Sequence, residues 1–248
     1  MLLEIDFGNT RLKWRLLDVR TSELKVTGTA VSGDDLLVAL LKSGCKKLDF
    51  CRICSVRTIA DNAQLARLVG NSYGVQPVFA RSEDRLAGVE NGYLDATKLG
   101  VDRWLAIVAA FENIKGACVV FDCGTAITTD YINAVGEHLG GCIAPGLKLM
   151  SSMLRNCGGL AECESGGSMG SMVLGRTTQV AVRSGIYGMA TGLIKEALEL
   201  AENKLNADFT VFCTGGDAVL VKQVIPQAVM VDDLVFQGLA IACPYIRS

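Results

Sequence analysis

One local pattern occurs twice in the chain, and that repeat constrains the fold more than any other feature. The run Met1-Leu2-Leu3-Glu4-Ile5 leads into Asp6-Phe7-Gly8-Asn9-Thr10, and Ala117-Cys118-Val119-Val120-Phe121 leads into Asp122-Cys123-Gly124-Thr125-Ala126. Each copy reads as a buried strand, an acidic residue at its end, a tight glycine turn, and a hydroxyl residue opening a second strand. Glycine lets backbone amides approach a phosphate, the hydroxyl can donate to it, and the carboxylate can hold a cation that shields it. A single Asp-x-Gly turn is common in hairpins, and two unrelated hairpins are the plain alternative. Two copies at matching strand ends suggest a duplicated domain that grips a nucleotide between its halves.

The segments around the repeat keep the same rhythm. After the first turn, residues 11–17 alternate, with Leu12, Trp14 and Leu16 on one face and Arg11, Lys13 and Arg15 on the other. A third strand is expected near Leu24 to Val31, then a helix capped by Asp34 or Asp35 and running to Lys42. Strand Leu48 to Val56, a helix over Ile59 to Val69 and strand Val75 to Ala80 come next. Arg81 to Asn91 reads as a polar loop, and a helix starts at Asp102 and runs to about Lys115. The second half repeats the opening with strands over residues 117–122, Ile127 to Ile132 and Leu139 to Ala144. Helices at Gly146 to Arg155 and Thr178 to Leu205 and a strand at Phe209 to Cys213 complete it. This is an α/β duplication, with halves 1–115 and 116–248 meeting near Lys115-Gly116. The stretch Gly158 to Gly170 reads as a mobile Gly-rich loop. Along the long helix, Val182, Ile186, Met189, Leu193, Ala197 and Leu200 form an apolar stripe.

Composition excludes several classes of function. Of 248 residues half are hydrophobic and 20% charged, so a sizeable core is available. A net charge of -2 gives no electrostatic case for nucleic acid or an anionic membrane. The N-terminal residues have no basic region before an apolar core, and the longest uncharged apolar runs, such as Trp104 to Phe111, are too short to cross a bilayer. A cytosolic protein is expected. The ten cysteines sit largely in apolar runs, where cysteine behaves as a small hydrophobe. Cys51 and Cys54 form a Cys-x-x-Cys pair, but their surroundings read as a strand that puts the thiols on opposite faces. No second pair completes a zinc site. The single histidine, His138, reads as a solvated loop residue.

A third glycine turn, Thr214-Gly215-Gly216-Asp217-Ala218, ends the late strand and opens a helix. Three such turns at three strand ends resemble the actin, Hsp70 and sugar-kinase superfamily, which implies a duplicated actin-like (ribonuclease H-like) ATPase fold with a nucleotide cleft between similar halves. There is no Gly-x-x-x-x-Gly-Lys-Ser/Thr, so a Walker-type loop is excluded. Between the two repeats lie Asn91-Gly92-Tyr93 and Gly100-Val101-Asp102-Arg103. With these the chain closely resembles the type III pantothenate kinases. That family's Asp-x-Gly-Asn-Thr/Ser-x-x-Lys is matched by Asp6, Gly8, Asn9, Thr10 and Lys13, its Gly-x-Asp-Arg by Gly100, Asp102 and Arg103, and its Asp-x-Gly-Thr-Ala by Asp122, Gly124, Thr125 and Ala126. Gly140-Gly141, Pro145-Gly146, residues 178–185 and Thr214 to Asp217 extend the match across essentially the whole chain.

The resemblance implies roles position by position. Asp102 is the general base toward the pantothenate hydroxyl, a task suited to a carboxylate because phosphoryl transfer needs positioning more than a strong base. As a bland alternative, Asp102 merely caps its helix. Arg103 pairs with the pantothenate carboxylate, and Tyr93, Gly100, Val101 and Thr178 belong to the same pocket; a solvated arginine and ordinary packing are the plain readings. Asp6 stands on the magnesium side of ATP, and Phe7, Gly8, Asn9, Thr10, Arg11, Leu12 and Lys13 form the loop around the phosphates. The face that Lys13 shares with Arg11 and Arg15 reads otherwise as solvated. Asp122 holds a monovalent cation, potassium or ammonium, and Thr125 donates to the terminal phosphates. The family also implies a homodimer, with Thr178 reaching the partner's pantothenate pocket. Residues 156–172 depart from the family pattern in their Gly, Ser and Cys content. Another kinase or phosphatase of the superfamily, or a non-catalytic accessory protein of transcription on the same scaffold, are the competing expectations.

Overall fold

The computed structural model describes residues 1–156, 171–205 and 208–246. Asn156 to Met172, the Gly-, Ser- and Cys-rich stretch, thus falls largely outside the described residues. Contacts divide the chain into one unit of Met1–Glu112 with Asp233–Ser248 and another of Asn113–Asp232.

The first unit opens with β1 (Leu2–Phe7), β2 (Leu12–Leu17) and β3 (Leu24–Ala30), followed by α1 (Gly33–Lys42), β4 (Phe50–Ser55), α2 (Ile59–Tyr73) and β5 (Val78–Phe79). Its sheet has the order β3-β2-β1-β4-β5. β1 is antiparallel to β2 and parallel to β4. The alternation of β2 is realised, with Leu12, Trp14 and Leu16 buried in the core beside Leu3, Ile5 and Ile53. The opposite face is not merely solvated. Glu4, fully buried, accepts hydrogen bonds from Arg15 on β2 and Arg52 on β4, the residues directly beside it in the ladder. Arg15 also binds Asp233 Oδ2 at 2.7 Å, and Arg52 donates to the Cys243 carbonyl at 2.9 Å. These bonds tie the C-terminal segment to the same sheet.

α1 is capped by Ser32, whose hydroxyl accepts from the Asp35 amide at 3.1 Å, not by Asp34 or Asp35. A serine placed one residue before the first helical position satisfies an otherwise orphaned amide, while both aspartates lie inside the first turn. The expected polar loop at 81–91 contains a small hairpin, β6 (Arg85–Leu86) and β7 (Val89–Glu90), reversed through positive φ at Ala87 and Gly88. A short 3-10 turn at Ala96–Lys98 precedes α3 (Val101–Ile114), whose residues from Arg103 to Phe111 are all buried.

The second unit repeats the plan with β8 (Cys118–Cys123), β9 (Ala126–Ile132) and β10 (His138–Pro145), then α4 (Leu147–Arg155), α5 (Thr178–Leu205), β11 (Thr210–Thr214), α6 (Val219–Val224) and β12 (Val229–Met230). Its sheet order, β10-β9-β8-β11-β12, is that of the first sheet strand for strand. β8 is antiparallel to β9 and parallel to β11, as β1 is to β2 and β4. Phe121, Ile127, Ile194 and Val211 are among its core residues. The expected stripe on α5 is realised in part, at Ile186 and Ala197, with Val182 and Leu193 partly buried against the same core. Ile186, Ala190, Ile194, Ala197 and Ala201 are buried, whereas Met189 is 67% exposed. His138 is likewise not solvated. It opens β10, is buried, and its Nε2 lies 2.8 Å from Asp130 Oδ1 on the neighbouring strand, a partner that only strand pairing reveals. The last helix, α7 (Leu234–Ala242), returns to the first unit and packs on β1 and β4.

Among the described residues no helix is long and apolar enough to cross a membrane, and no group of three or more His, Cys, Asp or Glu could hold a metal. Cys51 and Cys54 lie on one strand, both buried, and burial pushes the Cys51 thiol up. Burial also lifts Cys118 and Cys123 to about 12. Buried in this way, Cys51, Cys118 and Cys123 serve as packing groups.

Candidate active site

The first repeat forms the loop between β1 and β2. Asp6, near the end of β1, pairs in register with Lys13, whose Nζ lies 3.9 Å from Asp6 Oδ2. Asn9, Thr10 and Arg11 are exposed. Leu12 belongs to the core, and only its backbone can contribute to the loop. The loop borders a pocket of about 270 Å³ lined also by Ser32, Arg57, Asp61, Gln64 and Leu68.

Sequence reasoning missed Arg57. It lies just beyond the end of β4, donates from Nη1 to the Asn9 carbonyl at 3.1 Å, and its guanidinium carbon sits 5.4 Å from the centre of the Phe7 ring. Asp61 lies 3.2 Å from Arg57 Nε and closes a capping box with Thr58 at the start of α2. The Thr58 hydroxyl first, then the Arg57 charge, hold the Asp61 carboxyl below its usual range. The available signal was an arginine directly before the Thr58-x-x-Asp61 cap, a strand-to-helix corner beside the first loop.

A second group gathers around the start of α3. Asp102 stands in the first turn and accepts the Arg103 amide at Oδ1, 2.8 Å. A Cβ on Gly100 would sit 2.8 Å from that same oxygen, so glycine there leaves room for the carboxylate. Arg103 is buried, donates to the Tyr93 hydroxyl at 2.8 Å and faces the Tyr93 ring. Tyr93 is itself placed by an Asx turn, its amide donating to Asn91 Oδ1 at 3.0 Å. Four residues expected at one pocket, Tyr93, Gly100, Asp102 and Arg103, are thus neighbours, with Val101 between them at the helix start.

In the second unit the end of β8 carries Asp122, half-buried, and the loop to β9 carries Thr125, exposed. Gly215, at φ 93°, brings its backbone against Asp122; a Cβ there would lie 2.6 Å from Asp122 Oδ1 and 2.5 Å from the Cys123 carbonyl. The Gly124 amide donates to the Ala126 carbonyl and the Gly146 amide to the Thr125 carbonyl, both at 2.9 Å. The Asp-x-Gly-Thr turn, Pro145-Gly146 and the Thr214 to Asp217 turn therefore converge. Thr178 is the exposed first residue of α5 in this unit.

The matched five-stranded sheets, each with an acidic strand end and a glycine turn, define an actin-like ATPase fold of the sugar-kinase type. The same fold is found in a candidate 2-dehydro-3-deoxygalactonokinase from Sinorhizobium meliloti, with a TM-score of 0.61 and 12% identity over 99% of this chain and 100% of that one. A candidate Baf family transcriptional activator from Campylobacter jejuni gives a TM-score of 0.60 with 21% identity, covering 96% of this chain and 94% of that one. Residues 2–199 match the family model for type III pantothenate kinase. The type III pantothenate kinase of Pseudomonas putida strain W619 is 44% identical over 248 residues, 98% of this chain and 99% of that protein. The chain belongs to the type III pantothenate kinase family.

Proposed function

We propose that the group around the start of α3 receives pantothenate and that Asp102 is its general base. As a member of its family the chain is an ATP-dependent kinase that phosphorylates pantothenate, the first step of coenzyme A synthesis. In this reading the pantothenate hydroxyl oxygen attacks the γ-phosphorus of ATP, the bond from that phosphorus to the ADP oxygen breaks, and the hydroxyl proton passes to Asp102. The observation that carries the assignment is the Gly100–Asp102–Arg103–Tyr93 arrangement. It presents one carboxylate in a helical first turn beside a buried guanidinium, a pairing suited to an alcohol that carries its own carboxylate. Arg103 and Tyr93 act as a unit, the hydroxyl held by the guanidinium, in binding the substrate carboxylate.

The loop from Asp6 to Lys13 takes the ATP phosphates, with amides from Gly8 to Arg11 and the Lys13 ammonium. A single carboxylate at a strand end fits magnesium, which takes most of its ligands from water and phosphate oxygens; Asp6 would hold it, supplying charge neutralisation. In the second unit Gly215 lets backbone approach Asp122 closely and sets its carboxylate beside the Cys123 carbonyl, a pairing of oxygen donors that suits a monovalent cation. Asp122 would hold potassium or ammonium there, and Thr125 would donate to a terminal phosphate. The exposed apolar residues Leu174, Met172 and Met189 of this unit support a homodimer, with Thr178 serving the partner's pocket.

The test couples ADP release to pantothenate addition and compares Asp102→Asn with the wild type. General-base removal lowers kcat roughly a hundred- to ten-thousandfold with ATP affinity kept. A variant with near wild-type turnover would remove Asp102 from the reaction.

A further inference from the structure

We infer that Arg57, at the corner between β4 and α2, is a positioning residue that sets the shape of the β1–β2 loop for the nucleotide phosphates. The inference rests on the reading of that loop as the phosphate loop. β4 is the parallel neighbour of β1, so the chain leaving its end emerges beside the loop. Three contacts bind corner to loop. The Val56 amide donates to the Phe7 carbonyl at 3.3 Å, Arg57 Nη1 donates to the Asn9 carbonyl at 3.1 Å, and the guanidinium covers the Phe7 ring. They hold the backbone on both sides of Gly8, the residue with the widest conformational choice. The pocket of about 270 Å³ along the loop means that close-packed side chains do not fix it on that side. Its shape therefore depends on polar ties.

The tie to Asn9 has a directional consequence. In a trans peptide the carbonyl and the following N–H point in opposite directions. Holding the Asn9 carbonyl toward Arg57 therefore fixes the plane of the Asn9–Thr10 peptide, with its N–H bond directed away from that cation. Arg57 is in turn held by Asp61, and Asp61 by the Thr58 hydroxyl at 2.9 Å and amide at 3.3 Å. The capping box of α2 thus orients a loop amide through two side chains.

The experiment compares Arg57→Ala, Arg57→Lys and Asp61→Asn, with Gly8→Val as a direct loop control. ATP affinity is measured by calorimetry, KM for each substrate by the coupled assay, and folding by the thermal midpoint. Arg57→Ala is expected to weaken ATP binding about tenfold, the scale of one charge-assisted hydrogen bond, while KM for pantothenate stays within about twofold. Arg57→Lys should recover only part of the loss, because an ammonium lacks the planar fork that spans Asn9, Phe7 and Asp61. Asp61→Asn should weaken ATP in the same direction. Tighter ATP binding by Asp61→Asn would mean that Arg57 contacts phosphate itself, and would overturn the inference. Equal losses for both substrates with a large fall in midpoint would reduce Arg57 to a structural role and overturn it as well. If Arg57→Ala binds ATP normally while Gly8→Val does not, only the inference fails. If Gly8→Val also binds normally, the phosphate-loop reading fails with it.

Discussion

Glu4 is fully buried between two arginines, and replacing it by Gln tests how much of the first unit's stability rests on that cluster. The change keeps the volume and removes the charge, so its effect is electrostatic. Breaking a buried ion pair by removing one partner costs about 3–5 kcal/mol, because the other charge is left in a poor dielectric. Here both cations keep secondary partners. Arg52 retains the Cys243 carbonyl at 2.9 Å and the Ala240 carbonyl at 3.3 Å. Arg15 retains Asp233 at 2.7 Å and lies 4.6 Å from the Phe236 ring centre. The lower end, about 3 kcal/mol, is therefore expected. For a chain of this size that lowers the midpoint by roughly 6–12 °C. Tryptophan fluorescence is the right probe, since both tryptophans, Trp14 and Trp104, are buried in the unit that holds Glu4. Adding Arg15→Met to Glu4→Gln should cost less than the sum of the two single changes, because it removes one stranded cation. A midpoint shift below about 2 °C for Glu4→Gln would show that the carboxylate is not desolvated as described.

Two further outcomes concern the proposed site. Activity should require potassium or ammonium and fall steeply in sodium alone, since the proposed role of Asp122 is to hold such an ion beside the phosphates; equal rates in potassium-free sodium buffer would assign Asp122 another task. Mixing Asp102→Asn with Thr178→Arg, each inactive alone, should restore part of the activity, because one of the two pockets in a mixed dimer carries neither lesion. Mixed dimers that form and stay inactive would rule out a pocket shared between chains.

The parts of the fold legible in the sequence were those written within a few residues. The strand–Asp–x–Gly turns and the alternation of Leu12, Trp14 and Leu16 each depend on spacing along one segment, and their repetition is realised as two sheets of one topology. What could not be read depends on partners far apart in the chain. Arg15 looked solvated because its partner Glu4 is eleven residues away and Asp233 more than two hundred. His138 looked like a turn residue until β9 brought Asp130 beside it. The stripe on α5 failed at Met189 because the buried line includes Ala190 and Ala201 beside Ile186 and Ile194, and alanine carries little weight in a hydrophobic pattern. The grouping of Asp102, Arg103 and Tyr93 was legible through motif and resemblance. Arg57 was not, since an arginine after a strand ordinarily reads as surface.

The duplication reaches further than the sheets. In open α/β sheets ligands gather at the carboxyl ends of the strands, and both units build that edge from a parallel pair, β1 with β4 and β8 with β11. Each first strand carries the aspartate of its loop, Asp6 or Asp122, one residue before its end. In each unit the carbonyl one residue beyond that aspartate is bound by an amide from the corner after the second strand. Val56 N–H donates to Phe7 at 3.3 Å, and Asp217 N–H donates to Cys123 at 2.9 Å. The corners then diverge. The first unit projects a guanidinium that binds the loop carbonyl at Asn9, while the second presses a left-handed glycine, Gly215, against the carboxylate itself. A guanidinium ties the loop beyond Asp6 through its backbone, whereas in the second unit backbone packs directly on the Asp122 carboxylate. One corner plan thus carries two kinds of contact, and the difference lies in the residues after the second strand rather than in the aspartate both units share.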